Sequence, residues 1–216
     1  MNNNKPELIS LFSTPIVKTN IGRNFTKLET DCFQNISVTA YKEKERMTNH
    51  QSENRYLFDN TFAEELKDIK EFCESQLKDY LENIEGVDTD LVGLRITQSW
   101  LNKNKPGESH PPHAHQNSYL SGVLYISCLP NDHIVFNNRL YRMCNDMKFP
   151  IKRTTIWNSA GAIVNVKEGD LIIFPSWVPH YVDVNETKDV DRISLSFNTF
   201  PIGEMGEYNG VTHLKL

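Results

Sequence analysis

The sequence has few cysteines, and they lie far apart. The four are Cys32, Cys73, Cys128 and Cys144, and no two of them form a C-x-x-C pair. This spacing argues against a zinc knuckle, a redox dithiol and the disulfide framework of a small secreted protein. The sequence also lacks the apolar core of a signal peptide and any run near the roughly 18 apolar residues of a membrane span. We therefore expect a cytoplasmic protein without a membrane partner.

The sequence also lacks any concentration of positive charge. It has 23 basic and 28 acidic residues, a net charge of −5, and its basic residues are scattered. A protein that neutralises nucleic-acid phosphates needs a basic surface, so nucleic acid is not an expected partner. Hydrophobic residues make up 38% of the 216 residues, enough for a single globular domain over residues 1–216 that folds without a structural metal.

The apolar residues change their period near Gly86. Before it, residues 62–84 carry apolar side chains at steps of three and four, which predicts an amphipathic helix with a capping box formed by Thr61 and Glu64. An early strand is expected within residues 8–21. We expect residues 1–90 to form that strand and supporting helices, behind a sheet that follows.

After Gly86 the apolar residues alternate with polar ones, which predicts strands. Candidate strands lie at 94–101, 119–127, 133–136, 163–166, 170–174 and 192–200. Helices followed by many short strands indicate an α+β chain whose second half, 91–200, is an antiparallel sandwich or barrel. Residues 201–216 are expected to form a C-terminal tail, and 137–162 to form a loop over a site.

Three of the seven histidines cluster in H-P-P-H-A-H at residues 110–115. His113 and His115 are two residues apart, so on an extended segment they point to the same face and can bind one metal ion. His180, which follows the apolar strand L-I-I-F-P, is the best candidate for a third ligand. Imidazoles favour iron, zinc, copper or nickel, and three protein ligands leave positions open for chemistry. His110 is the fallback ligand, and the alternative is a set of surface histidines without a metal.

A possible carboxylate site follows the last of these histidines. Arg192 opens the strand R-I-S-L-S-F-N, and Ser194 points to the same face two residues later. A guanidinium is a two-pronged donor for a carboxylate, and the hydroxyls of Ser194 and Tyr125 can add donors. Alternatively, Arg192 pairs with Asp189 or Asp191, and Tyr125 is a core residue.

The three blocks H-A-H-Q-N-S-Y-L-S-G-V-L-Y-I, E-G-D-L-I-I-F-P-S-W-V-P-H and R-I-S-L-S-F-N resemble a 2-oxoglutarate/Fe(II) oxygenase family of bacteria and phages, related to the prolyl hydroxylases. The resemblance covers residues 94–200. It implies a double-stranded β-helix, a jelly roll like the cupin barrel, flanked by N-terminal helices.

The resemblance also implies roles for the candidate residues. His113 and His180 match the two histidines that bind Fe(II). Arg192 and Ser194 match the residues that bind the far carboxylate of 2-oxoglutarate, and Tyr125 lies near a tyrosine of the same site. His115 stands where the family has a carboxylate, so either three imidazoles bind the iron or water replaces His115. No side chain is assigned as a catalytic acid or base.

The expected reaction is hydroxylation of an unidentified small-molecule or peptide substrate with release of succinate and carbon dioxide. One alternative is a cupin-type three-histidine metalloenzyme that does not use 2-oxoglutarate. Another is a non-enzymatic barrel with vestigial histidines. The sequence leaves the substrate open, and a homodimer is compatible with it.

Overall fold

The structure is a computed structural model that describes residues 9–11, 13–43, 46–59, 62–138 and 149–216, without the side chains of 42–47. Two α-helices, α1 (Lys27–Asn35) and α2 (Lys67–Asp79), precede a π-helical turn at Tyr80–Glu85. The strands are β1 (Val17–Asn20), β2 (Val38–Glu43), β3 (Arg46–Ser52), β4 (Val92–Asn104), β5 (His110–His113), β6 (Leu120–Ser127), β7 (His133–Asn137), β8 (Gly161–Asn165), β9 (Asp170–Pro175), β10 (His180–Val182), β11 (Arg192–Met205) and β12 (Leu214–Lys215).

The strands form two antiparallel sheets. The major sheet has the order β1-β9-β6-β11-β4-β3-β2, with β12 paired to the end of β11. The minor sheet has the order β5-β10-β7-β8. Buried residues of both sheets meet in one cluster, where Tyr125 and Phe174 of the major sheet pack with Ile134 and Phe136 of the minor sheet. The two sheets therefore face each other in a jelly-roll arrangement.

Alternation along the major strands divides the interior into two parts. On β9, Leu171 and Ile173 belong to a core shared with the helices, while Ile172 and Phe174 belong to the cluster between the sheets. This is the period-two pattern of a strand that is buried on both faces.

The helices pack on the outer face of the major sheet. On α2, Ile69, Cys73 and Leu77 follow one another at four-residue steps, are 0–1% exposed, and join the core shared with the sheet. The π-helical turn ends at Gly86, whose φ of 66° is a left-handed conformation that glycine adopts without steric cost. None of the helices within the described ranges is long and apolar enough to span a membrane.

The N-terminal part differs from expectation in three respects. Helix α2 begins at Lys67 without a side-chain cap, and Glu64 lies in the preceding turn, while Thr61 lies outside the described residues. A capping box does occur, but in α1, where Thr26 and Glu29 exchange both hydrogen bonds. The hairpin β2–β3 was not expected either. Its polar sequence gives no clear alternation.

The C-terminal part is more regular than expected. The six predicted strands are confirmed with shifts at their ends, and the last of them, β11, continues beyond residue 200 to Met205. Met205 then pairs with Leu214 of β12, so the expected tail contributes a strand to the major sheet. The expected loop 137–162 is described only at 137–138 and 149–162, and none of those residues lines either of the two cavities described below.

Candidate active site

Three histidines come together at one end of the minor sheet. His113 ends β5 and His180 begins β10, and the two are direct cross-strand partners. His115 lies beyond β5, not on it, where its backbone N–H donates to the Ser176 carbonyl at 2.9 Å. The potential ligand atoms of the three histidines all lie within 4.8 Å of one another. The structure thus brings together the three residues predicted from the sequence, and they could hold a metal ion.

The backbone orients two of the imidazole rings. His113 Nδ1 lies 2.9 Å from the Pro111 carbonyl, and His180 Nδ1 lies 3.1 Å from the Val178 carbonyl. A carbonyl only accepts, so Nδ1 carries the proton in both rings and the lone pair is on Nε2, the atom that can bind a metal. The Nε2 atoms of His115 and His180 are 3.4 Å apart. Two nitrogens that each bind one ion at about 2.1 Å are separated by about 3 to 3.5 Å.

Burial keeps the cluster uncharged. Burial, with a smaller effect from His113, lowers the pKa of His115 to about 4, and burial also lowers the pKa of His180 well below its usual value. His110 stacks on His113 with ring centroids 4.2 Å apart, and burial lowers its pKa to about 3. His110 is outside the group of three whose ligand atoms converge. At neutral pH the imidazoles of His115 and His180 are therefore neutral, as metal ligation requires.

An inner cavity lies between these histidines and the inward face of the major sheet. Its polar lining comes from alternate residues of β4 and β11 and from β6, and it includes Arg192, Ser194 and Tyr125. Three buried donor atoms of this lining have no hydrogen-bond partner among the described residues: Trp100 Nε1, Asn104 Nδ2 and Tyr125 Oη. Burial raises the pKa of Tyr125, so its phenol keeps its proton and remains a donor. Such donors are rare in native interiors and indicate a place for an acceptor ligand.

The guanidinium of Arg192 is already paired within the protein. Its Nε lies 2.9 Å from both carboxylate oxygens of Asp132, its Nη2 lies 2.7 Å from one of them, and its Nη1 donates to the Asp183 carbonyl at 3.1 Å. The alternatives of Asp189 and Asp191 are wrong, since Asp191 pairs with Lys103. The side chains of Arg192 and Asp132 are 5% and 0% exposed, so this is a buried ion pair. It leaves only part of the five-donor guanidinium for a ligand.

Two cavities of different size meet at the histidines. The inner one encloses about 30 Å³, close to the space of one or two water molecules. The outer one encloses about 400 Å³ and shares Trp100, His110, His113 and His115 with the inner lining. A five-carbon dicarboxylate fits into the inner cavity only if the side chains that line the cavity move apart.

Several residues of the site gave no recognisable signal in the sequence. Asp132 lies between two predicted strands, Trp100 lies within a predicted strand and Asn104 lies just beyond it, and no motif marks any of the three. Trp100 and Asn104 lie on the same face of β4, where they are the cross-strand partners of Ser196 and Arg192 of β11. This alignment can be recognised only when the strand register is known.

The family model described as "Putative 2OG-Fe(II) oxygenase" matches residues 98–198. These 101 of the 216 residues, just under half of the chain, are similar to this oxygenase family. The segment contains all three histidines together with Tyr125, Arg192 and Ser194. The expected family and class of enzyme, an oxygenase that uses Fe(II) and 2-oxoglutarate, are therefore confirmed for this segment. No curated protein sequence matches the chain.

Solved structures share the fold at low sequence identity. The 2-oxoglutarate-dependent epimerase SnoN is 10% identical, with a TM-score of 0.58 over 88% of this chain and 81% of its own. HygX from Streptomyces hygroscopicus, solved with nickel and 2-oxoglutarate, is 10% identical, with a TM-score of 0.56 over 86% and 82%. A prolyl-4-hydroxylase from Pseudomonas putida is 16% identical, with a TM-score of 0.51 over 87% and 94%. These likenesses confirm a β-rich, jelly-roll-type fold.

Proposed function

We propose that the chain is a dioxygenase in which His113, His115 and His180 bind Fe(II), and that 2-oxoglutarate occupies the inner cavity. The observation that carries this proposal is the conjunction of three converging imidazoles with three buried donors in the adjoining cavity that have no partner among the described residues. The imidazoles are a donor set that suits iron, and the donors suit a carboxylate. Bound iron and 2-oxoglutarate supply oxygen activation, with release of succinate and carbon dioxide.

All three histidines are proposed as ligands, including His115. Its Nε2 lies 3.4 Å from the Nε2 of His180, on the side where an ion would be shared. Three neutral imidazoles bring no negative charge to the ion. We infer that the carboxylate of 2-oxoglutarate nearest the metal supplies the charge compensation that an aspartate or glutamate ligand would otherwise give.

The far carboxylate of 2-oxoglutarate is proposed to lie against Tyr125, Ser194 and the donors that remain on Arg192. Asp132 fixes the guanidinium and also cancels most of its charge. Recognition of the carboxylate must then depend on directed hydrogen bonds more than on net charge, and the unpartnered Tyr125 hydroxyl is the best placed of these donors. Asp132 is a positioning residue in this scheme.

The proposed reaction of this chain is hydroxylation of a small-molecule or peptide substrate in the outer cavity. The structural relative HygX has been solved with hygromycin B, and the relative from Pseudomonas putida is a prolyl hydroxylase. These relatives make either type of substrate reasonable. The 400 Å³ of the outer cavity is within the range of small-molecule sites and also admits a single peptide side chain.

The N-terminal part is proposed to support this site. We propose that residues 1–216 form one domain in which the two helices back the major sheet. The burial of Ile69 and Leu77 in the core shared with that sheet supports this arrangement. A cytoplasmic location, a homodimer and the lack of a nucleic-acid partner stay predictions.

Anaerobic titration with Fe(II) and then 2-oxoglutarate tests the function directly. The expected result is a weak visible charge-transfer band that appears only when both are present. The matched variant His133→Ala, which changes a minor-sheet histidine paired with Asp183 and outside the cluster, should keep the band. Tight iron binding without a band on addition of 2-oxoglutarate would contradict the role of the cosubstrate.

A three-histidine metalloenzyme that does not use 2-oxoglutarate is the second candidate. Two observations favour it. The group of three potential metal ligands includes no carboxylate, and the Nε and Nη2 of Arg192 are already bound to Asp132. The same titration separates the two candidates, because this one predicts iron binding and no band. Failure of the wild-type protein to bind iron at all would favour the non-enzymatic barrel.

A further inference from the structure

The outer cavity has an unusual charge distribution. It opens beside His113 and His115 and encloses about 400 Å³. Apart from the histidines, the lining residues that the structure describes include a single ionisable cation and no carboxylate. The cation is Arg55, and the other lining residues with polar or aromatic groups are Tyr41, Gln51, Gln98, Trp100 and Asn198.

Backbone hydrogen bonds connect the segment that carries Arg55 to strand β4. The Arg55 carbonyl accepts from the Ser99 N–H at 2.9 Å, and the Ser99 carbonyl accepts from the Leu57 N–H at 3.1 Å. This ties the segment after β3 to β4, next to Trp100. The position of Arg55 relative to the histidines therefore depends on strand β4, which also carries part of the inner cavity.

The guanidinium of Arg55 has no carboxylate partner within the described parts of the chain. Among the side chains that the structure describes, it forms no salt bridge, in contrast to Arg23 with Glu29 and Arg192 with Asp132. It is half-buried, and burial lowers its pKa. A partly desolvated cation without a partner is unfavourable in the unliganded protein, and an anion with planar oxygens would satisfy it.

We propose that the substrate of this enzyme carries a carboxylate or phosphate group that binds Arg55 in the outer cavity. This inference rests on the proposed function, because it assumes that chemistry occurs at the three histidines. Trp100 contributes to both linings and lies between the two binding regions. In this proposal the cosubstrate occupies the inner region, and the anionic group of the substrate fixes which of the substrate's atoms reaches the metal.

Binding of matched anionic and neutral compounds tests this proposal. The probes are N-acetyl amino acids paired with their primary amides, and phosphoserine paired with serine. Ligand-observed NMR would measure their binding to the Zn(II)-loaded protein saturated with 2-oxoglutarate, so that nothing turns over. The anionic member should bind about tenfold or more tightly than its neutral partner. Preference for the carboxylate or the phosphate pair identifies the type of anion.

Three variants make the test specific. Arg55→Gln should abolish the preference for the anion, and Arg55→Lys should retain part of it. Arg95→Gln, which removes the same charge from an exposed position of β4 outside both linings, should leave the preference intact.

Three outcomes would overturn the proposal. They are equal binding of both members by the wild-type protein, an anion preference that survives in Arg55→Gln, and a tenfold loss of 2-oxoglutarate affinity in Arg55→Gln. The last would assign Arg55 to the cosubstrate. The charge-transfer band is measured separately on the same protein. The charge-transfer band could fail to form while protein without added ligands still prefers anions in a way that depends on Arg55. In that case only the proposed function fails.

Discussion

The two faces of the major sheet are built from the same strands but have different roles. On the outer face, Leu101, Leu171 and Leu195 are 0–1% exposed and pack in the core shared with α1 and α2. On the inner face, alternate residues of β4 and β11, such as Asn102, Ser194 and Ser196, are polar and line the cavity next to the histidines. Each unpartnered buried donor there costs about 1–3 kcal/mol of stability. One face thus stabilises the fold, and the other gives up stability for ligand binding.

The largest expected effect is loss of metal binding in His180→Ala. The side chain is buried, is the cross-strand partner of His113, and comes within 3.4 Å of His115. Fe(II) affinity should fall by more than about a hundredfold, beyond what loss of a supporting residue costs. The measurement is anaerobic Fe(II) titration with circular dichroism as a check on folding. Wild-type affinity in the folded variant would remove His180 from the site.

The next largest effect is expected on stability, from Asp132→Ala on the inner side. The variant leaves Arg192 as a buried, uncompensated cation, which costs about 3–5 kcal/mol. Urea unfolding measures the change. Asp191→Ala, which breaks the partly exposed pair with Lys103, is the matched control and should cost about 0–1 kcal/mol. Equal losses in both variants would mean that burial does not distinguish the two pairs.

A smaller loss is expected at Gly122, the cross-strand partner of Phe197 in the major sheet. A Cβ on Gly122 would lie 2.1 Å from the nearest ring atom of Phe197, a side chain that is fully buried. Gly122→Ala should therefore destabilise the protein by about 1–3 kcal/mol through overpacking. Gly93→Ala, where the nearest atom is Ile202 Cγ1 at 3.8 Å, is the control. Thermal unfolding that shifts equally in both would argue against a steric cause.

The smallest effect, and the sharpest contrast between the faces, is expected from two tyrosines. Tyr125→Phe removes an unpartnered hydroxyl, so stability should stay the same or rise by about 1 kcal/mol while 2-oxoglutarate affinity falls roughly tenfold. Tyr80→Phe, on the outer side, removes a hydroxyl that donates to the Pro15 carbonyl at 3.2 Å. It should lose about 0.5–1.5 kcal/mol and keep its 2-oxoglutarate affinity. Urea unfolding and the charge-transfer titration measure both properties, and the reverse pattern would refute the assignment of the faces.

Local pattern predicted the regular elements to different degrees. The strands rich in apolar residues, such as β6 and β9, were predicted to within a residue or two, because burial of one or both faces requires apolar residues in the sequence. The hairpin β2–β3 was not predicted, since its residues are largely polar. The start of α2 was predicted too early, because apolar spacing continues into turn residues that are not helical.

Some residues of the site could be predicted from local sequence blocks, and others could not. His113, His115 and His180 stand in recognisable blocks, and the structure brings them together. His113 and His115 are expected on one extended segment; in the structure His113 ends β5, and His115 lies two residues beyond that end. The partner of Arg192 could not be found by neighbourhood in the sequence, because Asp132 is 60 residues away and reaches it from the loop between β6 and β7.

The sequence by itself determined which chemical groups the protein has and which strands carry them: a histidine cluster before one strand, a histidine after another, and Arg192 with Ser194 on a third. Only the tertiary structure decided which of these groups are satisfied. Among the residues that the structure describes, it paired Arg192 with Asp132, left the Tyr125 hydroxyl without a partner, and placed Arg55 at the outer cavity without a carboxylate. The reason is physical: side-chain period is a local property of the backbone, whereas a hydrogen-bond or ion-pair partner depends on register and on loops from distant parts of the chain.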